Sequence, residues 1–171
     1  TVLVDPVLSG NASPIAGMVK EFAGTGLYTA EDFPQIDVLL ITHDHYDHLD
    51  HRFLKQLKSK VKRVVCSLGV APHLIHWGFD ASRITELDWD EQTEGPGYVL
   101  KAKPARHFSG RGLIRNRSLW SSFVLRIAGK TIFLGGDSGY GPHFKRIGEQ
   151  EGAFDAVLLE CGQYNRLWPQ I

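Results

Sequence analysis

The chain has 171 residues and balances 19 Lys and Arg against 19 Asp and Glu, with 43% hydrophobic residues. That length gives one domain with room for a sizeable core. No run of 18 apolar residues and no signal-like or transit-like start occurs, which excludes a membrane-spanning helix from the sequence as it stands. Cys66 and Cys161 each sit in or at the end of an apolar run, so they read as buried thiols in a reducing, cytoplasmic setting rather than as a disulfide framework.

The first residues, Thr1 to Pro6, read as a strand already in progress, so further strands are expected before Thr1. Asp5 ends that strand, where a simple Asp-Pro turn is one reading. Residues 9–35 mix Gly, Pro, Ser and Asn with Phe22, Tyr28 and Phe33, which predicts a long loop with one short helical turn. Loops of that length are often lids.

Val38 to Ile41 is a short apolar run bounded upstream by Pro34, the pattern of a buried strand. It runs directly into Thr42-His43-Asp44-His45-Tyr46-Asp47-His48-Leu49, in which His43, His45, Asp47 and His48 place three imidazoles and a carboxylate as candidate metal ligands within six residues. If the segment stays extended, His43 and His45, two apart, point the same way and can grip one ion. Asp47 and His48 follow the turn and can face a second. Burying such groups without a cation is costly, and coordination is the usual remedy. Asp50 is a fair helix N-cap, and His51 to Lys58 places Phe53, Leu54 and Leu57 on one helical face. Val61 to Cys66 is the next strand, so the metal motif sits at the carboxyl end of the strand before it, where α/β sheets place ligands.

Pro72 to Trp77 predicts a short helix whose His73 and His76 read as a partly exposed face more readily than as a metal pair. Ile84 to Leu87 is a strand, and Asp88 to Gly97 an acidic, turn-rich connection. Tyr98 to Arg106 predicts a strand that runs into His107. Leu119 to Ile127 and Lys130 to Leu134 flank Ala128-Gly129 as a β-hairpin. Its second strand empties into Gly135-Gly136-Asp137-Ser138-Gly139, where the glycines let backbone approach an ion and Asp137 offers a carboxylate. Pro142 to Gln150 is a helix opened by proline, and Phe154 to Glu160 a last apolar strand. This alternation by itself gives a mixed α/β domain.

The pattern His-x-His-x-Asp-His at His43 to His48 resembles the signature of the metallo-β-lactamase superfamily. The wider run Leu40 to Asp50, with His107-Phe108-Ser109-Gly110-Arg111-Gly112, is similar to the branch containing N-acylphosphatidylethanolamine-hydrolysing phospholipase D. The ascorbate-6-phosphate lactonases are similar at lower resolution. The resemblance implies an αβ/βα sandwich across 1–171, read as a single domain cut at both ends. It implies that Asp5 braces the metal-binding turn, a reading that stands beside the simple turn. It further implies two divalent ions, zinc foremost with iron or manganese as alternatives. His43, His45 and His107 would hold one ion; Asp47, His48 and a histidine expected after Ile171 would hold the other, with Asp137 bridging. The implied reaction is hydrolysis by a metal-bound hydroxide that Asp47 orients.

Substrate class rests on charge. No acidic residue falls between Gly95 and Gly136, while Lys101, Lys103, Arg106, Arg111, Arg115, Arg117, Arg126 and Lys130 do. A basic collar favours a small anionic or lipid-like substrate such as a phosphodiester; solvated strand and loop charge is the plainer account. Arg111, between two glycines, is the best phosphate contact, while Phe108 and Trp120 line either an acyl pocket or the core. A lactonase or esterase, a nuclease of the same superfamily, or a non-catalytic metal-binding protein are the alternatives. No basic or inserted element for nucleic acid is visible, and nothing bears on oligomeric state. Gly136-Asp137-Ser138-Gly139 also spells a trypsin-like serine protease motif, but that reading leaves the His43 to His48 cluster unexplained.

Overall fold

The computed structural model describes residues 1–160 except Ala16, Phe22, Ala23 and Thr25. The chain divides into two units, Thr1–Leu87 with Phe108–Leu119, and Asp88–His107 with Trp120 onward. The first unit holds an all-parallel sheet of β1 (Val2–Val4), β2 (Ile36–Ile41), β3 (Val61–Ser67) and β4 (Ile84–Leu87), in that spatial order. Parallel neighbours need crossovers. The long segment after β1, then helix α1 (His51–Leu57), then α2 (Ala71–His76) supply them. The long segment carries one helical turn at Ala30–Asp32, as its composition predicts.

β2 is the centre of this unit. Ile36, Val38, Leu39, Leu40 and Ile41 are wholly buried and only Asp37 reaches solvent. Burial on both faces explains why the strand reads as a continuous apolar run instead of an alternating one. The register Val4↔Leu40 and Ile41↔Cys66 aligns the carboxyl ends of β1, β2 and β3 at Asp5, Thr42 and Ser67. Cys66 is buried, and that burial, with the charge of Glu86, pushes its thiol pKa up and leaves it inert. Cys161 lies outside the described residues.

Asp50 caps α1 as expected: its Oδ1 accepts from Arg52 N (3.0 Å) and Phe53 N (3.1 Å). Its other oxygen accepts from Leu8 N (3.2 Å) and Ser9 N (2.8 Å), which fastens the start of the long loop to the helix. Phe53, Leu54 and Leu57 are buried in a core with Leu39, Ile41, Val64 and Leu74. We expect Asp50→Ala to cost about 1–2 kcal/mol, read as a lower urea midpoint at unchanged slope. Asp50→Asn should keep the helix cap but lose the Leu8 and Ser9 bonds, because its amide nitrogen cannot accept.

The second unit holds a sheet in the order β5 (Gln92–Gly95), β6 (Tyr98–Pro104), β7 (Ser121–Ile127), β8 (Lys130–Leu134), β9 (Ala156–Leu158). All neighbours are antiparallel except β8 and β9, which are joined through helix α3 (Pro142–Glu151). The β7–β8 hairpin turns on Ala128 (φ 51°) and Gly129 (φ 73°), the two left-handed residues of a type I′ turn. Val124, Phe133 and Ile147 form one core cluster of this unit, with Phe144 and Phe154 packed against them.

β5 falls inside the stretch expected to be a turn-rich connection. Its Gln-Thr-Glu-Gly sequence lacks an apolar face because it is an edge strand held by its ladder to β6. β7 begins after Leu119 and Trp120, and β9 is shorter than the apolar run that announces it. Among the described residues no helix is long and apolar enough to cross a membrane.

Candidate metal centre

β2 ends at Ile41 and the chain continues through Thr42, His43 and Asp44, all buried. It then turns sharply: His48 N (3.1 Å) and Leu49 N (2.8 Å) both donate to His45 O. The turn gathers three imidazoles. His43 Nε2 lies 2.9 Å from His45 Nδ1, and the rings of His43 and His48 are 4.1 Å apart by their centroids. Two nitrogens bound to one tetrahedral zinc ion stand about 3.3 Å apart; the His43–His45 pair is closer than that by a few tenths of an ångström, and three imidazoles on one short turn are the donor type a divalent transition metal takes. Asp47 occupies the tip of the turn and is exposed.

What holds the imidazoles is Asp5. Its Oδ1 accepts from Thr42 N (2.8 Å); its Oδ2 accepts from Thr42 Oγ1 (2.6 Å) and lies 2.9 Å from His48 Nδ1. Asp5 is in the left-handed region (φ 41°), which aspartate tolerates and which aims the carboxylate at the neighbouring strand end. Of its two readings the structure supports the brace. Thr42 Oγ1 is also 3.0 Å from His43 Nδ1, and Ser67 Oγ donates to Thr42 O at 2.6 Å. With Nδ1 of His43 and of His48 each facing an oxygen, Nε2 is the atom each ring offers to an ion. Sequence reasoning singles out neither Thr42 nor Ser67. The hydroxyl beside His43 is the one available signal.

Asp44 does not join the imidazoles. Its Oδ1 accepts from Gly110 N (2.6 Å), and His73 Nε2 stands 3.7 Å from its Oδ2. Burial raises its pKa, but His73 and the Gly110 amide outweigh burial and hold it below the usual carboxylate value.

In the second unit, the segment after β6 delivers His107 and the segment after β8 delivers Asp137. His107 Nε2 lies 3.6 Å from Asp137 Oδ2, and both side chains are partly open to solvent. A Cβ on Gly135 would stand 2.9 Å from Leu158 O, so this approach to Asp137 requires glycine. Ser138 Oγ accepts from Arg106 N (3.0 Å) and lies 2.9 Å from His143 Nε2. Ser138 and His143 are only 8% and 7% exposed, and burial, with Arg146 and Arg106 nearby, holds the imidazole pKa below its usual value. This serine is a buried tie between two loops, which removes the serine-protease reading.

Six of the eight cations in the basic collar are engaged by partners within the protein. Lys101 (3.0 Å), Lys103 (2.7 Å) and Arg126 (2.8 Å) all converge on Glu151. Lys103 also meets Asp90 (2.6 Å), Lys130 meets Asp155 (2.8 Å), and Arg106 donates to Tyr140 O (2.9 Å). Arg111 likewise has partners within its own unit. Its guanidinium turns inward to the backbone of the metal turn, donating to Asp44 O (2.9 Å) and Leu49 O (2.8 Å). Phe108 lies against His45, rings 4.6 Å apart, and Trp120 Nε1 donates to Ala105 O (3.0 Å).

A family model described as a beta-lactamase superfamily domain matches residues 1–170. The chain belongs to the beta-lactamase superfamily. An uncharacterised protein of Mycobacterium tuberculosis is 39% identical over 171 residues, covering 99% of this chain and 46% of that one. N-acyl-phosphatidylethanolamine-hydrolyzing phospholipase D 1 of Caenorhabditis elegans is 33% identical over 183 residues, covering 97% and 50%. The chain spans about half the length of these two relatives. The crystal structure of CmlA, a diiron β-hydroxylase from Streptomyces venezuelae, superposes with a TM-score of 0.65 at 28% identity, covering 91% of this chain and 30% of that one. The metallo-β-lactamase fold expected from the motif is thus the fold of this chain.

Proposed function

We propose that the chain carries the metal-binding part of a dinuclear hydrolase acting on a phosphodiester of an anionic, lipid-like substrate. The observation that carries the reading is the cluster of His43, His45 and His48 gathered at the end of β2 and held by Asp5. His43, His45 and His107 would take one divalent ion, and Asp47 and His48 a second, with Asp137 serving both. The carboxylate of Asp137 and the imidazole of His107 lie 3.6 Å apart in their own unit, which supports placing both on one ion. Bound divalent ions supply Lewis-acid activation of water and of the phosphoryl group at neutral pH.

The protein's own residues do the rest. Asp5 and Thr42 fix which imidazole nitrogen of His43 and His48 points at the ion. Asp47, exposed at the tip of the turn, would be the group that accepts and passes a proton. The phosphodiester choice draws on the similarity to the Caenorhabditis phospholipase D, since the charge count no longer argues for it. The test is turnover of bis-p-nitrophenyl phosphate and of a phosphatidyl-type diester by the full-length protein. We expect hydrolysis that a chelator abolishes and added zinc, manganese or iron restores. Turnover of lactones or carboxylic esters with none of phosphodiesters would contradict the substrate class.

The similarity to CmlA favours a second reading at the level of the metal, with iron in place of zinc. Histidine and carboxylate donors suit both. Elemental analysis of protein grown with both metals supplied separates them.

A further inference from the structure

We infer that Arg111 is a positioning residue that locks the His43–His48 turn, and that it makes no contact with substrate. The inference rests on the reading that this turn holds metal.

The geometry is specific. The turn exposes backbone carbonyls on its outer side, and one guanidinium nitrogen, Nη1, bonds two of them: Asp44 O at 2.9 Å and Leu49 O at 2.8 Å. A third carbonyl, His45 O, lies at 3.4 Å; it is the same oxygen that accepts from the amides of His48 and Leu49. The guanidinium lies 3.9 Å over the Tyr46 ring and 5.3 Å from that of Trp77, so its plane is clamped between the turn and the end of α2. The tie is returned from the turn: Tyr46 Oη donates to Arg111 O at 2.9 Å, and Asp44 Oδ1 accepts from the neighbouring Gly110 N at 2.6 Å. The loop that carries Arg111 is itself closed, since Ser109 N donates to Asn116 Oδ1 (3.2 Å) and Asn116 N to Ser109 O (3.0 Å), with Asn116 left-handed at φ 60°.

Arg111 therefore spans the turn from Asp44 to Leu49, both ends of the segment that presents His45 and His48. Ligand nitrogens must hold their places to a few tenths of an ångström for an ion to bind well. A lysine here keeps the charge but loses the broad guanidinium face over Tyr46 and Trp77, which holds Nη1 at the carbonyls. A phosphate contact held by charge alone would tolerate that exchange better.

The experiment uses the full-length protein with Arg111→Lys and Arg111→Ala. Zinc affinity is measured by competition with a chromophoric chelator, and amide exchange is measured on the metal-free protein. We expect Arg111→Lys to fold, by circular dichroism, yet to lose zinc affinity by about 10–100-fold. In the metal-free variant the His48 and Leu49 amides should exchange about tenfold faster while those of α1 are unchanged. In the active protein kcat should fall with KM held. Unchanged affinity and exchange with a raised KM would overturn the inference in favour of a substrate contact. A lower melting temperature with unchanged affinity and uniform exchange would overturn it in favour of general stability. A wild type that binds no metal would sink the metal reading instead, and local exchange in the variant would still decide whether Arg111 holds the turn.

Discussion

Asp5→Ala is expected to weaken metal binding by about 10–100-fold, the range for losing a partner that orients ligating imidazoles. The carboxylate has three partners on a segment 37 residues or more away: Thr42 N, Thr42 Oγ1 and His48 Nδ1. Removing it frees the His48 ring to turn and releases Thr42, whose hydroxyl faces His43 Nδ1. It also leaves a buried amide, since Thr42 is 1% exposed. Asp5→Asn should fall between: Oδ1 still accepts from Thr42 N, but an amide NH₂ in place of Oδ2 cannot accept from the threonine hydroxyl. Competition with a chromophoric chelator at pH 7 reads both variants. An affinity equal to wild type in Asp5→Ala would return Asp5 to a plain turn residue.

The second large effect lies away from the imidazoles. Glu151 is 4% exposed and receives Lys101, Lys103 and Arg126, of which Lys103 is itself only 1% exposed. Glu151→Gln leaves the buried Lys103 ammonium with Asp90 as its one carboxylate partner in this cluster, so the cost should fall below the about 3–5 kcal/mol of a buried pair broken from one side. Replacing Lys103 by Met in the same chain should recover part of the loss, because the buried charge then disappears and the Asp90 it leaves is 59% exposed. The pH dependence has a definite sign. Burial pushes the Glu151 carboxyl up, but the three cations outweigh it and hold its pKa at about 2 against the ordinary 4.5. A carboxyl lowered in the folded state stabilises fully above its unfolded value and loses that contribution as pH falls toward the folded one. The stability gap between wild type and Glu151→Gln should therefore be constant above pH 4.5 and shrink between pH 4.5 and about 2. A gap that stays the same across that window would contradict this assignment. The measurement is urea unfolding at fixed ionic strength.

These two carboxylates also show where sequence reading succeeds and where it stops. β2 and the His43–His48 turn are legible because the strand is buried on both faces and the imidazoles follow it without interruption. Helix α1 is legible from Asp50, and the β7–β8 hairpin from Ala128-Gly129, since each depends on local chemistry alone. Asp5 can be placed at a strand end, but its choice between turn and brace needs the β1–β2 register. The charge count fails for the same reason. Lys101, Lys103 and Arg126 look unopposed along 95–136, yet their partner Glu151 comes from α3, on another element. Arg111 reads as an exposed loop cation until the turn it bonds is folded beside it. β5 escapes sequence reading because an edge strand of Gln-Thr-Glu-Gly carries no apolar signal.

Whether the imidazoles of this chain hold a dinuclear metal centre is decided by metal content per chain. Elemental analysis of the full-length protein, as isolated and after chelation and reloading, gives that number. We expect about two divalent ions per chain, falling to at most one in His43→Ala, whose ring meets both His45 and His48. A full-length protein that holds no metal as isolated and takes up none on reloading would contradict the dinuclear centre.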